Sequence, residues 1–118
     1  MLTRENYLSN LLEQIPEFLP VYEEHIADNR DVLHYVLMGE LFDFASSAYA
    51  RRDIILLARI VDFINQLAIS GDDDLHEIVH VSFIEDVPYS PVDDAIRPLL
   101  NDTALDMYQA VVNFEPAL

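Results

Sequence analysis

One short motif in the sequence has the spacing of a catalytic metal site. His76, Glu77 and His80 form the pattern H-E-x-x-H within a predicted helix. Residues four apart lie on the same face of a helix, so both imidazoles can reach one zinc ion while the glutamate polarises a bound water. A minimal zinc-dependent hydrolase is therefore one hypothesis for the function of this chain.

The surroundings of this motif favour a structural role for the two histidines. Asp73 and Asp74 precede it, where zinc peptidases usually carry uncharged residues, and no predicted strand could align a substrate backbone beside it. Three acids could supply the third zinc ligand, and the sequence does not select among them: Asp102, Asp106 and Glu115. We therefore expect His76 and His80 to lie at the edge of a buried helix face, with no catalytic residue and no cofactor.

A second set of residues, on and after the same predicted helix, indicates binding. It combines acidic clusters with one tyrosine between two prolines: Asp72, Asp73, Asp74, Glu77, Glu85, Asp86, Tyr89, Asp93 and Asp94. A helix start needs only one capping carboxylate, and neighbouring aspartates repel one another. A rigid tyrosine beside carboxylates offers contact area at low entropic cost, while the charge steers a cationic partner. We interpret these residues as a partner-binding surface; the alternative is a solvated acidic face.

The net charge narrows the class of partner. The chain has 22 acidic residues, six arginines and no lysine, which gives a formal charge of −16. Residues 1–59 hold ten acids and five arginines (−5), whereas residues 60–118 hold twelve acids and only Arg97 (−11). Like charge of this size opposes the compact state, so we expect it to serve binding. Cationic proteins and metal ions match such a surface, and phosphate backbones or anionic membranes do not.

The composition indicates one soluble helical domain. Hydrophobic residues make up 52% of the 118 residues, enough for a single core spanning residues 1–118. Cysteine is absent, which excludes disulfide and thiolate chemistry. We expect a cytoplasmic protein without a signal peptide or membrane span, because residues 1–5 lack an apolar segment and residues 54–69 are too short and carry charges. Only one adjacent basic pair occurs, Arg51-Arg52, so direct binding to nucleic acid is not expected.

Apolar residues recur at helical spacing along almost the whole chain, and only two glycines occur. The predicted helices cover about residues 3–15, 20–29, 32–50, 53–69 and 72–87, then a short helix from Pro91 to a break at Pro98, and a last one capped by Asp102 or Thr103. We expect the fourth and fifth helices to lie centrally. The third helix is expected to bury six residues: Leu33, Val36, Leu37, Leu41, Phe44 and Ala48. The sequence therefore predicts an all-α, compact bundle of about six or seven helices with short connections.

Three stretches carry a resemblance to a known group of proteins: residues 36–44, 60–64 and 81–87. They are similar to stretches in small acidic all-helical immunity proteins encoded beside bacterial polymorphic toxins, including contact-dependent growth inhibition systems. The resemblance covers about residues 30–90 and implies a cytoplasmic inhibitor of one cognate toxin domain, commonly a nuclease. Its matched residues are packing positions, so no binding residue is transferred from it.

The leading hypothesis is therefore an immunity-type protein that neutralises a cationic toxin domain through its acidic surface. Two alternatives stay open at this point. One is the zinc hydrolase, and the other is an acidic nucleic-acid mimic that occupies the basic groove of a DNA-binding protein.

Overall fold

The computed structural model describes residues 2–114, which contain seven α-helices and three 3₁₀ helices joined by short connections. The α-helices are α1 (Tyr7–Gln14), α2 (Leu19–Asn29), α3 (His34–Ala50), α4 (Ile54–Ala68), α5 (Asp73–Ser82), α6 (Asp93–Ile96) and α7 (Asp102–Val112). The 3₁₀ helices are Pro16–Phe18, Ile84–Tyr89 and Arg97–Leu99, and no strand occurs among the described residues. The predicted all-α bundle with short connections is confirmed.

Helix α4 forms the centre of the fold. It packs against α1, α3, α5, α6 and α7, and eight of its apolar side chains are buried, among them Ile60 and Ile64. The prediction of a central fourth helix is thus confirmed. The same prediction was wrong for α5, which buries one stripe containing Leu75, Ile78 and Val79 and exposes Asp73 and Asp74 to solvent.

Helix α3 buries only part of the face that was predicted. Its predicted core residues are confirmed at three positions: Leu37, Leu41 and Ala48. It begins at His34, and the side chains of Leu33 and Val36 are 44% and 49% exposed. Met38 and Phe42 are buried in their place. The reason is that α3 packs against both α4 and α5, so its inner face is broad and includes positions that a single apolar stripe leaves out.

The predicted fifth helix breaks before its expected end. Helix α5 stops at Ser82, Phe83 leaves the helical conformation with φ −128° and ψ −62°, and the chain continues as the 3₁₀ helix Ile84–Tyr89. Pro88 lacks an N–H and disfavours the α conformation in the residue before it, so an α-helix is not expected to run on through Val87 and Pro88. We call Ile84–Tyr89 the acidic 3₁₀ helix, because Glu85 and Asp86 lie in its first turn.

The N-terminus of α7 is held by an asparagine that sequence reasoning missed. The Asn101 side-chain oxygen accepts from the Ala104 N–H at 2.9 Å, whereas Asp102 and Thr103 were the predicted caps. Asn101 also donates its backbone N–H to Asn65 Oδ1 at 2.9 Å and its Nδ2 to the Asn65 carbonyl oxygen at 3.1 Å. One residue therefore caps α7 and ties it to α4.

Replacing Asn101 with alanine is expected to lower the free energy of unfolding by about 1–2 kcal/mol, because the variant loses the helix cap and the bond from Nδ2. Urea denaturation of both proteins measures this difference. The matched control is Thr103→Ala, which removes a predicted cap that makes no capping bond and should change stability by less than about 0.5 kcal/mol. Equal losses at the two positions would contradict the assignment of the cap.

Candidate functional site

The predicted binding residues fall into two groups at opposite ends of α5. This helix has ten residues, so its ends lie about 15 Å apart. The first group surrounds the N-terminal turns: Asp72, Asp73, Asp74 and Glu77. The second group lies beyond the C-terminal end, on the acidic 3₁₀ helix and on α6, which contact each other: Glu85, Asp86, Tyr89, Asp93 and Asp94.

The first group is largely engaged with the N-terminal segment. Asp72 caps α5 by accepting from the Asp74 N–H at 2.9 Å, and its other oxygen accepts from the backbone N–H of Arg4 at 2.9 Å. The Arg4 hydrogen bond is the main reason why the pKa of Asp72 lies below its ordinary value. The Arg4 guanidinium in turn lies 3.4 Å from the Asp74 carboxylate. Two of these three aspartates therefore have structural roles, and Asp73 remains exposed.

A groove of about 440 Å³ lies beside this first group, between the start of α3 and α5. Its lining combines apolar side chains with a few polar ones: Arg4, Val32, Leu33, His34, Tyr35, Val36, Asp74 and Ile78. The pKa of Tyr35 is raised above its usual value, mainly by burial and next by the negative charge of Glu77. The sequence signal for this groove was the apolar run of residues 32–37, which is wider than one helix face can bury.

His34, which lines this groove, makes a partly buried polar contact with Tyr7. The Tyr7 hydroxyl and His34 Nδ1 form a short hydrogen bond. Burial raises the pKa of Tyr7 well above its usual range, so the hydroxyl keeps its proton and donates. Burial, followed by the nearby Arg4 charge, lowers the pKa of His34, so the imidazole accepts as the neutral form. This contact joins α1 to α3 and is structural.

The second group divides into a paired part and an unpaired part. Directly after α6, the guanidinium of Arg97 lies 3.2 Å from carboxylate oxygens of both Asp93 and Asp94. The Tyr108 hydroxyl donates to Asp93 Oδ1 at 2.7 Å, and this bond is the main reason why the pKa of Tyr108 is raised. Asp93 therefore helps to pack α6 against α7. Arg97 is the only arginine after residue 59. Its charge is already paired with Asp93 and Asp94, so it does not neutralise the other acids of this half of the chain.

The unpaired part is the acidic 3₁₀ helix. Its buried side chains Ile84 and Val87 fix it against the core, while Glu85 and Asp86 point to the exposed side. Neither carboxylate forms an ion pair within residues 2–114. Tyr89 ends the segment with 79% of its surface exposed. A rigid turn thus presents two uncompensated negative charges beside an aromatic ring.

A groove of about 330 Å³ lies between the acidic 3₁₀ helix and the end of α7. We call it the α7 groove, and its lining residues are His80, Glu85, Tyr89, Ala110, Val111 and Phe114. Phe114 is 73% exposed and faces the same groove as Tyr89. Sequence reasoning selected Glu85 and Tyr89 but missed Phe114, because no sequence signal shows that the end of α7 returns to this turn.

The H-E-x-x-H residues do not converge on a third ligand. His76 Nε2 is buried without a hydrogen-bond partner among residues 2–114, and His80 lines the α7 groove. No group of three or more His, Cys, Asp or Glu side chains in the described part of the chain is placed to hold a metal ion. Asp102 and Asp106 lie exposed on α7, and the third candidate, Glu115, lies outside the described residues. His76 and His80 are both half-buried on α5.

One further arginine, Arg59, forms an ion pair with an acid within the fold. The Arg59 guanidinium lies 2.5 Å from one oxygen of Glu17 and donates to the other at 3.0 Å. The pKa of Glu17 is lowered mainly by this hydrogen bond. Arg4, Arg59 and Arg97 thus each neutralise acids within the fold, which leaves the excess negative charge on other exposed side chains.

These features define the chain as a small acidic all-α domain with an exposed acidic and aromatic surface. The chain belongs to the family described as Domain of unknown function (DUF7674), whose model matches residues 8–114. No curated protein and no solved structure matches the sequence. None of the helices within residues 2–114 combines the length and the hydrophobicity that a membrane crossing requires.

Proposed function

We propose that this protein is a cytoplasmic immunity-type inhibitor. It binds a cognate cationic toxin domain of the nuclease class and needs no catalysis of its own. The observation that carries the proposal is the acidic 3₁₀ helix. It exposes Glu85, Asp86 and Tyr89 together on a rigid turn, and the one arginine of that half of the chain pairs elsewhere.

Physical chemistry supports a cationic protein as the partner of such a surface. Nuclease domains that grip phosphates carry clustered positive charge, and an acidic domain can occupy or cover that charge. The net charge of −16 would attract such a domain over a distance comparable to the Debye length. Tyr89 would then supply the buried aromatic contact that holds the complex, because exposed rigid tyrosines are frequent anchors in interfaces.

Co-expression with the product of the adjacent reading frame tests this proposal. We expect the two proteins to elute together and their association rate to fall at least about tenfold between low and high salt, because steering by exposed charge is screened. Stopped-flow measurements at several salt concentrations give this dependence. A neighbouring frame without a toxin-like C-terminal domain, or capture of a housekeeping DNA-binding protein instead, would contradict the immunity function.

A pair of variants with equal charge locates the surface. Glu85→Gln combined with Asp86→Asn removes two charges from the acidic 3₁₀ helix, and Glu23→Gln combined with Glu24→Gln removes two exposed charges from α2. We expect the first pair to slow association several-fold more than the second. Equal slowing would mean that total charge alone drives the encounter and would remove the acidic 3₁₀ helix from the proposal.

A further inference from the structure

We propose that the α7 groove is a binding site for the guanidinium group of an arginine side chain. The inference rests on the proposed function, because the arginine belongs to the cationic partner. It goes further than the proposed function because it names one groove of the acidic surface as the site and one chemical group, the guanidinium, as its ligand.

The groove has the three elements that bind a guanidinium. Tyr89 and Phe114 are 79% and 73% exposed and both line the groove, so two aromatic rings stand available to a ligand. Ala110 and Val111 provide a small apolar floor from the last turns of α7. Glu85 places an exposed carboxylate on the same groove, and no ion pair occupies it among the described residues. Aromatic faces attract cations, and a carboxylate accepts paired hydrogen bonds from an arginine.

The alternatives to a guanidinium fit this lining less well. An apolar side chain would bury Glu85 without a partner, which is unfavourable, and an anionic group would be repelled by both Glu85 and Asp86. A lysine ammonium carries the correct charge, but it is compact and strongly hydrated and cannot stack on a ring. The planar, weakly hydrated guanidinium can stack on an aromatic face and bond to a carboxylate at the same time.

Within residues 2–114, two arginines near the ends of α5 are already paired with other acids. Arg97 is held by Asp93 and Asp94, and Arg4 is held by Asp74 at the other end of α5. The volume of about 330 Å³ lies at the small end of the range for ligand pockets, which suits one long side chain better than a larger ligand.

The experiment uses two short peptides of equal charge, one with arginines spaced by glycines and one with lysines in the same places. The whole chain, labelled with ¹⁵N, is titrated with each peptide at physiological salt. We expect the arginine peptide to bind about fivefold or more tightly than the lysine peptide, because stacking adds to the charge term. The perturbed amides should cluster at His80, Tyr89 and Val111. Equal affinities with perturbations spread over the surface would overturn the proposal.

Single variants then test the lining residues. Tyr89→Ala and Glu85→Gln should each weaken the arginine peptide about fivefold and reduce its advantage over lysine. Tyr35→Ala and Glu23→Gln, which change the same residue types outside the α7 groove, should leave both affinities unchanged. Because Tyr89 and Glu85 are exposed, these variants should melt like the original protein, and a melting curve checks this.

Failure of this inference can be separated from failure of the proposed function. If Tyr89→Ala binds the toxin domain with unchanged affinity, the arginine site and the anchoring role of Tyr89 are both wrong, although the immunity function holds. If the arginine peptide binds the α7 groove while the neighbouring gene product does not bind, the site stands and the immunity function is wrong.

Discussion

Replacing Phe83 with alanine is expected to lower the free energy of unfolding by about 3–5 kcal/mol. The Phe83 ring is fully buried and meets Phe42 edge to face, with ring centroids 5.3 Å apart. It lies where α5 ends and the acidic 3₁₀ helix begins, and Phe42 belongs to α3. Three elements would therefore have to move to fill the cavity. A loss of this size is a large part of the stability of a small domain, and urea denaturation measures it directly.

Two control variants isolate the effect of burial. Phe83→Leu keeps most of the volume and should cost less than about half as much. Phe114→Ala makes the same chemical change at an exposed ring and should change stability by less than about 0.5 kcal/mol. Amide exchange across Ile84–Tyr89 should also accelerate in Phe83→Ala, because the ring anchors that segment. A loss below about 1.5 kcal/mol would show that Phe83 is not the anchor.

The fold class could be predicted because helical periodicity is a local property. The apolar residues of α1 and α4 recur at helical spacing in the sequence, and Pro88 is visible there too. The position of the break at Phe83 was not predictable, because it depends on the tertiary contact between the acidic 3₁₀ helix and α7. The cap of α7 was missed for a similar reason, since Asn101 is held in place by Asn65, 36 residues away.

The sequence predicted which residues are exposed on the candidate surface, but only partly which of them pair with each other. Residue types alone predicted that Glu85, Asp86 and Tyr89 are exposed, and the structure places all three on the surface. They did not reveal that Asp72 bonds to Arg4, which is 68 residues away, because such pairings are set by the packing of helices. The acids that the fold leaves unpaired are therefore the ones to mutate first.

The second large effect concerns a buried histidine that joins α2 to α3. His25 is 2% exposed, and its Nε2 accepts from the backbone N–H of Leu33 at 3.0 Å. That geometry places the ring proton on Nδ1, which donates to Glu40 Oε1 at 2.9 Å. His25→Ala would leave the Leu33 N–H and the Glu40 carboxylate without these partners and would open a cavity. We expect a loss of about 2–4 kcal/mol in the free energy of unfolding, measured by urea denaturation.

His25→Gln is the matched control, because its side-chain oxygen can take the place of the Nε2 acceptor while the bond to Glu40 is lost. It should recover part of the stability and keep the Leu33 amide protected from hydrogen exchange, whereas His25→Ala should expose that amide. Glu40→Gln keeps an acceptor for Nδ1 and should cost less than either change at His25. If all three variants were equally stable, the hydrogen bond to Leu33 would contribute nothing measurable to the free energy of unfolding. The link between α2 and α3 would then depend on apolar packing alone.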